Sequence, residues 1–181
     1  MDDRGVTPPG DALLAQRAAQ GDLDAFDVLV RRYQLPIYRV CLNILGDTHA
    51  AQDAAQDTFF TAWRAIGRYR GDAKLSTWLY RIATNRCLKE LKRRERPTDP
   101  LPDLPSTAGT PEEHYEAVAH VADVAGALAR LPADQRVAML LRDVEGLAYG
   151  DIAEVLGVSM TVVKSRIYRA RLQLARRLGD Q

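Results

Sequence analysis

Apolar residues in the first half of the chain recur at steps of three and four. Phe26, Leu29, Val30 and Tyr33 share one helical face; Ile37, Val40, Cys41 and Ile44 share another; Phe59, Trp63 and Ile66 make a third. That period predicts amphipathic helices. The polar residues between these runs supply starts and stops. Asp11 is placed to cap a helix ending near Gly21, and Asp22 to cap the next. Pro36 is expected to start a third element closed by Gly46, because proline suits a first helical position and glycine a C-terminal cap. Asp47 or Thr48 opens a helix through Ile66. After a break at Gly71-Asp72, Ser76 or Thr77 caps another, with Leu75, Leu79, Ile82 and Ala83 facing inward. The expected unit is a domain of about four helices.

The stretch LAYGDIAEVLGVSMTVVKSRIYRARLQLARRL, residues 147–178, shows the same period in a smaller unit. It reads as a short helix, a turn at Gly157, and a longer helix capped by Ser159. Val163, Ile167, Ala170, Leu174 and Leu178 fall on one side and are expected to pack on Ile152, Ala153 and Leu156. Thr161, Val162, Ser165 and Arg169 then point away, flanked by Lys164, Arg166 and Arg171. This pattern, about Gly150 to Arg169, is that of a helix-turn-helix, whose early second-helix residues reach base edges. A membrane-lying helix would need its apolar face free, and the domain core requires that face.

Between the two units, residues 97–111 hold five of the nine prolines. Proline removes a donor and fixes the backbone, so this stretch is expected to be an extended linker. The expected organisation is a disordered lead (1–10), a helical domain (11–96), a linker (97–112), a second helical domain (113–178) and a short tail (179–181). The predicted fold class is all-α.

Composition narrows the chemistry. The 181 residues contain no apolar run long enough for a membrane span, and Met1-Asp2-Asp3-Arg4 is not a secretory start. A cytoplasmic protein without membrane insertion is expected. Cys41 and Cys87 lie far apart in sequence and read as reduced thiols, and His49, His114 and His120 as surface or core residues. No metal spacing, phosphate loop or nucleophile–base pair is evident, so neither a metal, a cofactor nor catalysis is expected.

Charge changes the picture more. Residues 64–96 carry eleven basic and three acidic side chains, residues 97–123 none and six, and residues 159–178 six and none. Two basic blocks on separate helical units suggest two contacts with a polyanion; solvated faces are the plainer alternative. Within the first block, Arg81, Asn85, Lys89 and Lys92 share a helix face. Asparagine can pair with a base edge, and arginine and lysine neutralise phosphates. Tyr69, Trp78 and Tyr80 are interleaved with them and could stack on bases, although Trp78 equally suits the core.

The segments AQDAAQDTFFTAW and YRGDAKLSTWLYRIATNR, a proline-rich linker, and LPADQRVAMLLRDVEGLAYGDIAEVLGVSMTVVKSRIYRAR occur in that order. Together they resemble bacterial RNA polymerase sigma factors of the extracytoplasmic-function (ECF) group, over about residues 11–178. The resemblance implies a first domain that binds core polymerase and the −10 promoter element. Its docking segment would grip a coiled coil on the largest polymerase subunit through Gln52, Asp53, Gln56, Asp57, Phe60 and Arg64. Its −10 segment would comprise Arg70, Asp72, Lys74, Ser76, Thr77, Trp78, Arg81, Asn85, Arg86 and Lys89, hold a flipped base and help melt the DNA. The second domain would read −35 DNA through Ser159, Thr161, Val162, Lys164, Ser165, Arg166, Arg169 and Arg171, and meet the polymerase flap region. The linker would thread toward the RNA exit path, and an anti-sigma factor would regulate the protein. Two positions depart from the family pattern. Gln52 stands where glutamate is common, and Val162 where threonine is usual. A helix-turn-helix regulator of the LuxR type would share the second unit but would need a receiver or ligand domain in the first. A helical adaptor that binds no DNA would leave both basic faces solvated.

Overall fold

The computed structural model describes residues 10–94 and 126–179. The expectations for the lead at 1–9, the linker at 97–112, the start of the second domain at 113–125 with His114 and His120, and residues 180–181 lie outside them, as does the Leu178 side chain. Among the described residues all regular structure is helical: α1 (Asp11–Ala19), α2 (Leu23–Leu45), α3 (Thr48–Ala65), a 3-10 turn (Ile66–Arg68), α4 (Leu75–Arg94), α5 (Ala133–Asp143), α6 (Tyr149–Leu156) and α7 (Met160–Gly179).

In the first domain α2 is the central element, packed against α1, α3 and α4. Asp22 caps it as the sequence suggests, accepting a hydrogen bond from the Ala25 amide at 3.0 Å. Gly46 closes it in the left-handed region at φ 67°, donating its N–H to the Leu42 carbonyl. The expected break at Pro36 is absent: α2 runs through it as one helix of 23 residues. Leu29, Ile37, Val40, Cys41 and Ile44 are all buried, so one continuous apolar stripe spans the proline. Burial of that stripe outweighs the hydrogen bond that proline cannot donate.

Two further expectations change, and one choice between alternatives is settled. Asp11 is the first residue of α1 and not its cap; its carboxylate binds Arg32 and Tyr33 and ties α1 to α2. Asp47, and not Thr48, caps α3, accepting from the Ala50 amide at 2.7 Å. Neither Ser76 nor Thr77 caps α4. The helix begins at Leu75, and the Trp78 N–H already donates to the Lys74 carbonyl.

Helix α3 buries mainly small residues, Ala51, Ala54, Ala55, Thr58 and Ala62. Phe59 and Trp63 lie half-buried at the edge of the core, where the Trp63 ring meets Phe26 with centroids 5.0 Å apart. Small side chains let α3 approach α2 closely, which leaves its other face free.

In the second domain α5 packs on α7 and α6. Gly157 turns between α6 and α7 at φ 64°, and Ser159 caps α7, its hydroxyl accepting from the Val162 amide at 3.4 Å. Val163, Ile167 and Ala170 are buried and Leu174 is partly so. They meet a face of α6 in which Ile152 and Val155 are fully buried while Ala153 and Leu156 are partly so. Val155, rather than Ala153 or Leu156, is thus the second inward residue of α6.

Candidate nucleic-acid interface

The first domain presents two distinct faces. On α3, Gln52, Asp53, Gln56, Asp57, Phe60 and Arg64 are all exposed. Phe60 is 61% exposed, and the Arg64 guanidinium carbon sits 5.6 Å from its ring centroid. An aromatic knob beside a carboxylate stripe, with the core satisfied by alanines on the opposite side, suits docking to a protein rather than packing within the fold.

The second face belongs to α4 and the loop before it. Arg70, Asp72 and Lys74 are exposed on the loop, and Arg81, Asn85, Lys89 and Lys92 are exposed along the helix. Trp78 is half-buried against Tyr69, with ring centroids 5.4 Å apart. Tyr69 also donates its hydroxyl to the Ala73 carbonyl at 2.6 Å. It therefore braces the loop from inside, a role that depends on the fold of residues 69–73 and has no sequence signature. Ser76 is half-buried. Thr77 is buried, at 4% exposure, because it falls on the inner side of the first turn. Its hydroxyl is not presented to a ligand in this arrangement. Arg86 also differs from the others: its Nε donates to Asp57 Oδ2 at 2.7 Å, which commits it to the α3 stripe.

On α7, Thr161, Val162, Lys164 and Arg169 are exposed and Ser165 is half-buried. The flanking arginines are braced: Arg166 Nε lies 2.9 Å from Asp134, and Arg171 Nε donates to Asp143 at 3.1 Å. Both acids belong to α5, so these pairs fix α7 on its support. Arg142 and Lys164 lie over the Tyr149 ring, 4.8 and 5.8 Å from its centroid. Tyr149 was not among the expected site residues; its two cations come from different helices and leave no local pattern.

Cys41 and Cys87, distant in sequence, are both fully buried on packed helices α2 and α4. The thiols face one another, and their hydrogen bond, with burial, raises the Cys87 thiol far above its usual range. A thiol held in its protonated form is a core residue rather than a nucleophile. Among the described residues no cluster of three or more histidine, cysteine or carboxylate side chains could hold a metal, and no helix is long and apolar enough to cross a membrane.

Residues 29–97 match the Sigma-70 region 2 family and residues 122–174 the Sigma-70 region 4 family. The chain is 41% identical to the ECF RNA polymerase sigma factor SigM of Mycobacterium tuberculosis, over 93% of this chain and 85% of that one. It is 38% identical to the RNA polymerase sigma-H factor of Pseudomonas aeruginosa, over 92% of each. Among solved structures, CnrH in complex with the cytosolic domain of CnrY superimposes with a TM-score of 0.74 at 29% identity, covering 94% of this chain and 98% of that one. Region 2 in the first domain removes the LuxR-type reading, which would place a receiver or ligand domain there. With both sigma regions matched in order, and with relatives this similar across nine-tenths of its length, the chain belongs to the ECF group of RNA polymerase sigma factors.

Proposed function

We propose the following division of labour for a sigma factor that binds core RNA polymerase, directs it to promoters through −10 and −35 elements and helps melt the −10 DNA. The α3 stripe of Gln52, Asp53, Gln56, Asp57, Phe60 and Arg64 docks on the largest polymerase subunit. The α4 face reads and opens the −10 element: Arg81 and Lys89 hold phosphates, Asn85 reads a base edge, and Trp78 with the loop at Arg70 to Lys74 holds a flipped base. The start of α7 reads the −35 major groove, and the second domain also meets the polymerase flap region. The observation that carries this reading is the opposed character of α3 and α4. One bundle exposes carboxylates and an aromatic knob on α3, and a row of cations around Asn85 on α4.

The domain limits given above, 11–96 and 113–178, are the units we assign to these roles. Polymerase holds both, so the second DNA contact becomes effectively intramolecular. The protein contributes binding and melting and no catalysis, and acts in the cytoplasm with the polymerase. The sigma factor RpoE of Bartonella quintana, similar in fold to this chain, was solved with the anti-sigma factor NepR, and an anti-sigma factor is the regulator we propose here. The docking assignment is tested by Asp53→Arg with Asp57→Arg. The double variant is expected to lose co-purification with core polymerase while keeping its helical circular dichroism. Wild-type co-purification would refute the docking face.

A further inference from the structure

The sequence contains two cysteines, Cys41 and Cys87, and the fold brings them together. Cys41 lies near the end of α2 and Cys87 in the second half of α4. The two helices pack on each other, both side chains are fully buried in one core cluster, and one thiol hydrogen-bonds to the other. The chain between them holds all of α3 and the loop before α4. Both exposed faces of the first domain therefore depend on how firmly α4 is held to α2, although neither sulfur lies on them.

We infer that this pair is an oxidation site, at which a peroxide joins Cys41 to Cys87 in a disulfide that staples α4 to α2. The helix packing already sets the two sulfurs side by side, as a disulfide requires of its partners. Two thiols and one peroxide give one disulfide and two waters. A thiolate attacks one peroxide oxygen; an S–O bond forms, the O–O bond breaks, and the departing hydroxide takes up a proton as water. The second sulfur then attacks this sulfenic acid; the S–S bond forms, the S–O bond breaks, and the hydroxyl leaves as water with the second thiol's proton. The two sulfurs lose two electrons in all, and the peroxide gains them.

The fold also sets when the bond forms. The thiolate is the reactive species, and the hydrogen bond to Cys41, with burial, raises the Cys87 thiol far above its usual range. Neither side chain is open to solvent. The closed bundle is therefore slow to react, and a chain whose α4 has parted from α2 is fast. Oxidant acts first on chains that open, and reclosure brings the second sulfur to the first. The staple then opposes the next opening, because a cross-link between residues so far apart in sequence removes much of the freedom of the unfolded chain. A thiol reductant reverses it.

The test treats the reduced full chain with hydrogen peroxide, in buffer and in urea below the unfolding midpoint, and reads intact mass and peptides. The chain should lose two hydrogens, with Cys41 joined to Cys87, about ten-fold faster in urea. The linked chain should melt about 10 °C above the reduced one, and a thiol reductant should return it to the lower value. Cys87→Ala and Cys41→Ala should each show no rise with peroxide; a rise in either would mean that the staple is not its source. Cysteines oxidised singly to sulfinic acid, or linked between chains, would overturn the pairing. A linked chain that melts no higher than the reduced one would overturn the stapling, and a rate indifferent to urea would overturn the gating.

Discussion

Arg86 on α4 donates from Nε to Asp57 Oδ2 on α3, a contact of 2.7 Å that joins the helix proposed to face DNA to the stripe proposed to dock on polymerase. The same guanidinium reaches Glu90 at 3.7 Å. Arg86 is therefore better placed to hold Asp57 than to grip a phosphate. Arg86→Ala is expected to cost about 0.2–1 kcal/mol of stability, the range for a partly exposed pair. It should weaken core-polymerase binding while leaving −10 sequence preference unchanged. A pull-down titration together with a −10 library would decide; an altered −10 profile with unaltered polymerase affinity would return Arg86 to the DNA face.

Glu90 is the centre of a second network. It accepts from Arg93 at 2.9 Å and Arg94 at 3.2 Å, and these hydrogen bonds, Arg93 first, hold its carboxyl at about 2. In an unfolded chain a glutamate titrates at about 4.3. Its folded value is depressed, so its contribution is complete above the unfolded value and is lost as pH falls from about 4.3 toward 2. Glu90→Gln should lower Tm at pH 7, and the gap to wild type should narrow steadily below about pH 4.3. A Tm difference independent of pH down to the acid limit of folding would show that the charge is not what stabilises.

Much of this architecture is legible from spacing, because caps and apolar stripes are local signals. Asp22, Gly46, Gly157 and Ser159 do in the structure what their positions suggest. Pro36 misleads for a physical reason: a local rule about a missing donor yields to a stripe buried on both sides of it. Ser76 and Thr77 mislead because both are good capping types, and the choice of first turn is made by burial of Leu75 and Thr77. The exposed polar stripe of α3 could be read because it falls at a helical period beside aromatic residues. The ion pairs Arg86–Asp57, Arg166–Asp134 and Arg171–Asp143 could not, since each joins residues 28 or more positions apart.

Val162, 38% exposed at the start of α7, presents methyl groups and no donor. At a base edge it can pack against a thymine methyl but cannot read an acceptor. Val162→Thr should shift −35 preference by about 1 kcal/mol at one position. Arg169 lies two turns later on the same exposed side. Its loss should weaken binding uniformly across sequences and reduce the salt slope by about one, the signature of a phosphate contact. Selection of a −35 library with wild type, Val162→Thr and Arg169→Ala reads both. Identical profiles for wild type and Val162→Thr would place residue 162 away from the bases.

Asn85 is exposed nearly three turns into α4, on the face shared with Arg81 and Lys89. If that face opens the −10 element, Asn85 acts after recruitment and before RNA synthesis. The direct test maps transcription starts genome-wide with core polymerase plus the purified protein, then follows permanganate reactivity of −10 thymines at those promoters. The account predicts new starts preceded by a shared −35 and −10 pair. Thymine reactivity should require the protein and fall with Asn85→Ala, while −35 protection persists. Initiation without a shared element, or melting unchanged by Asn85→Ala, would contradict it.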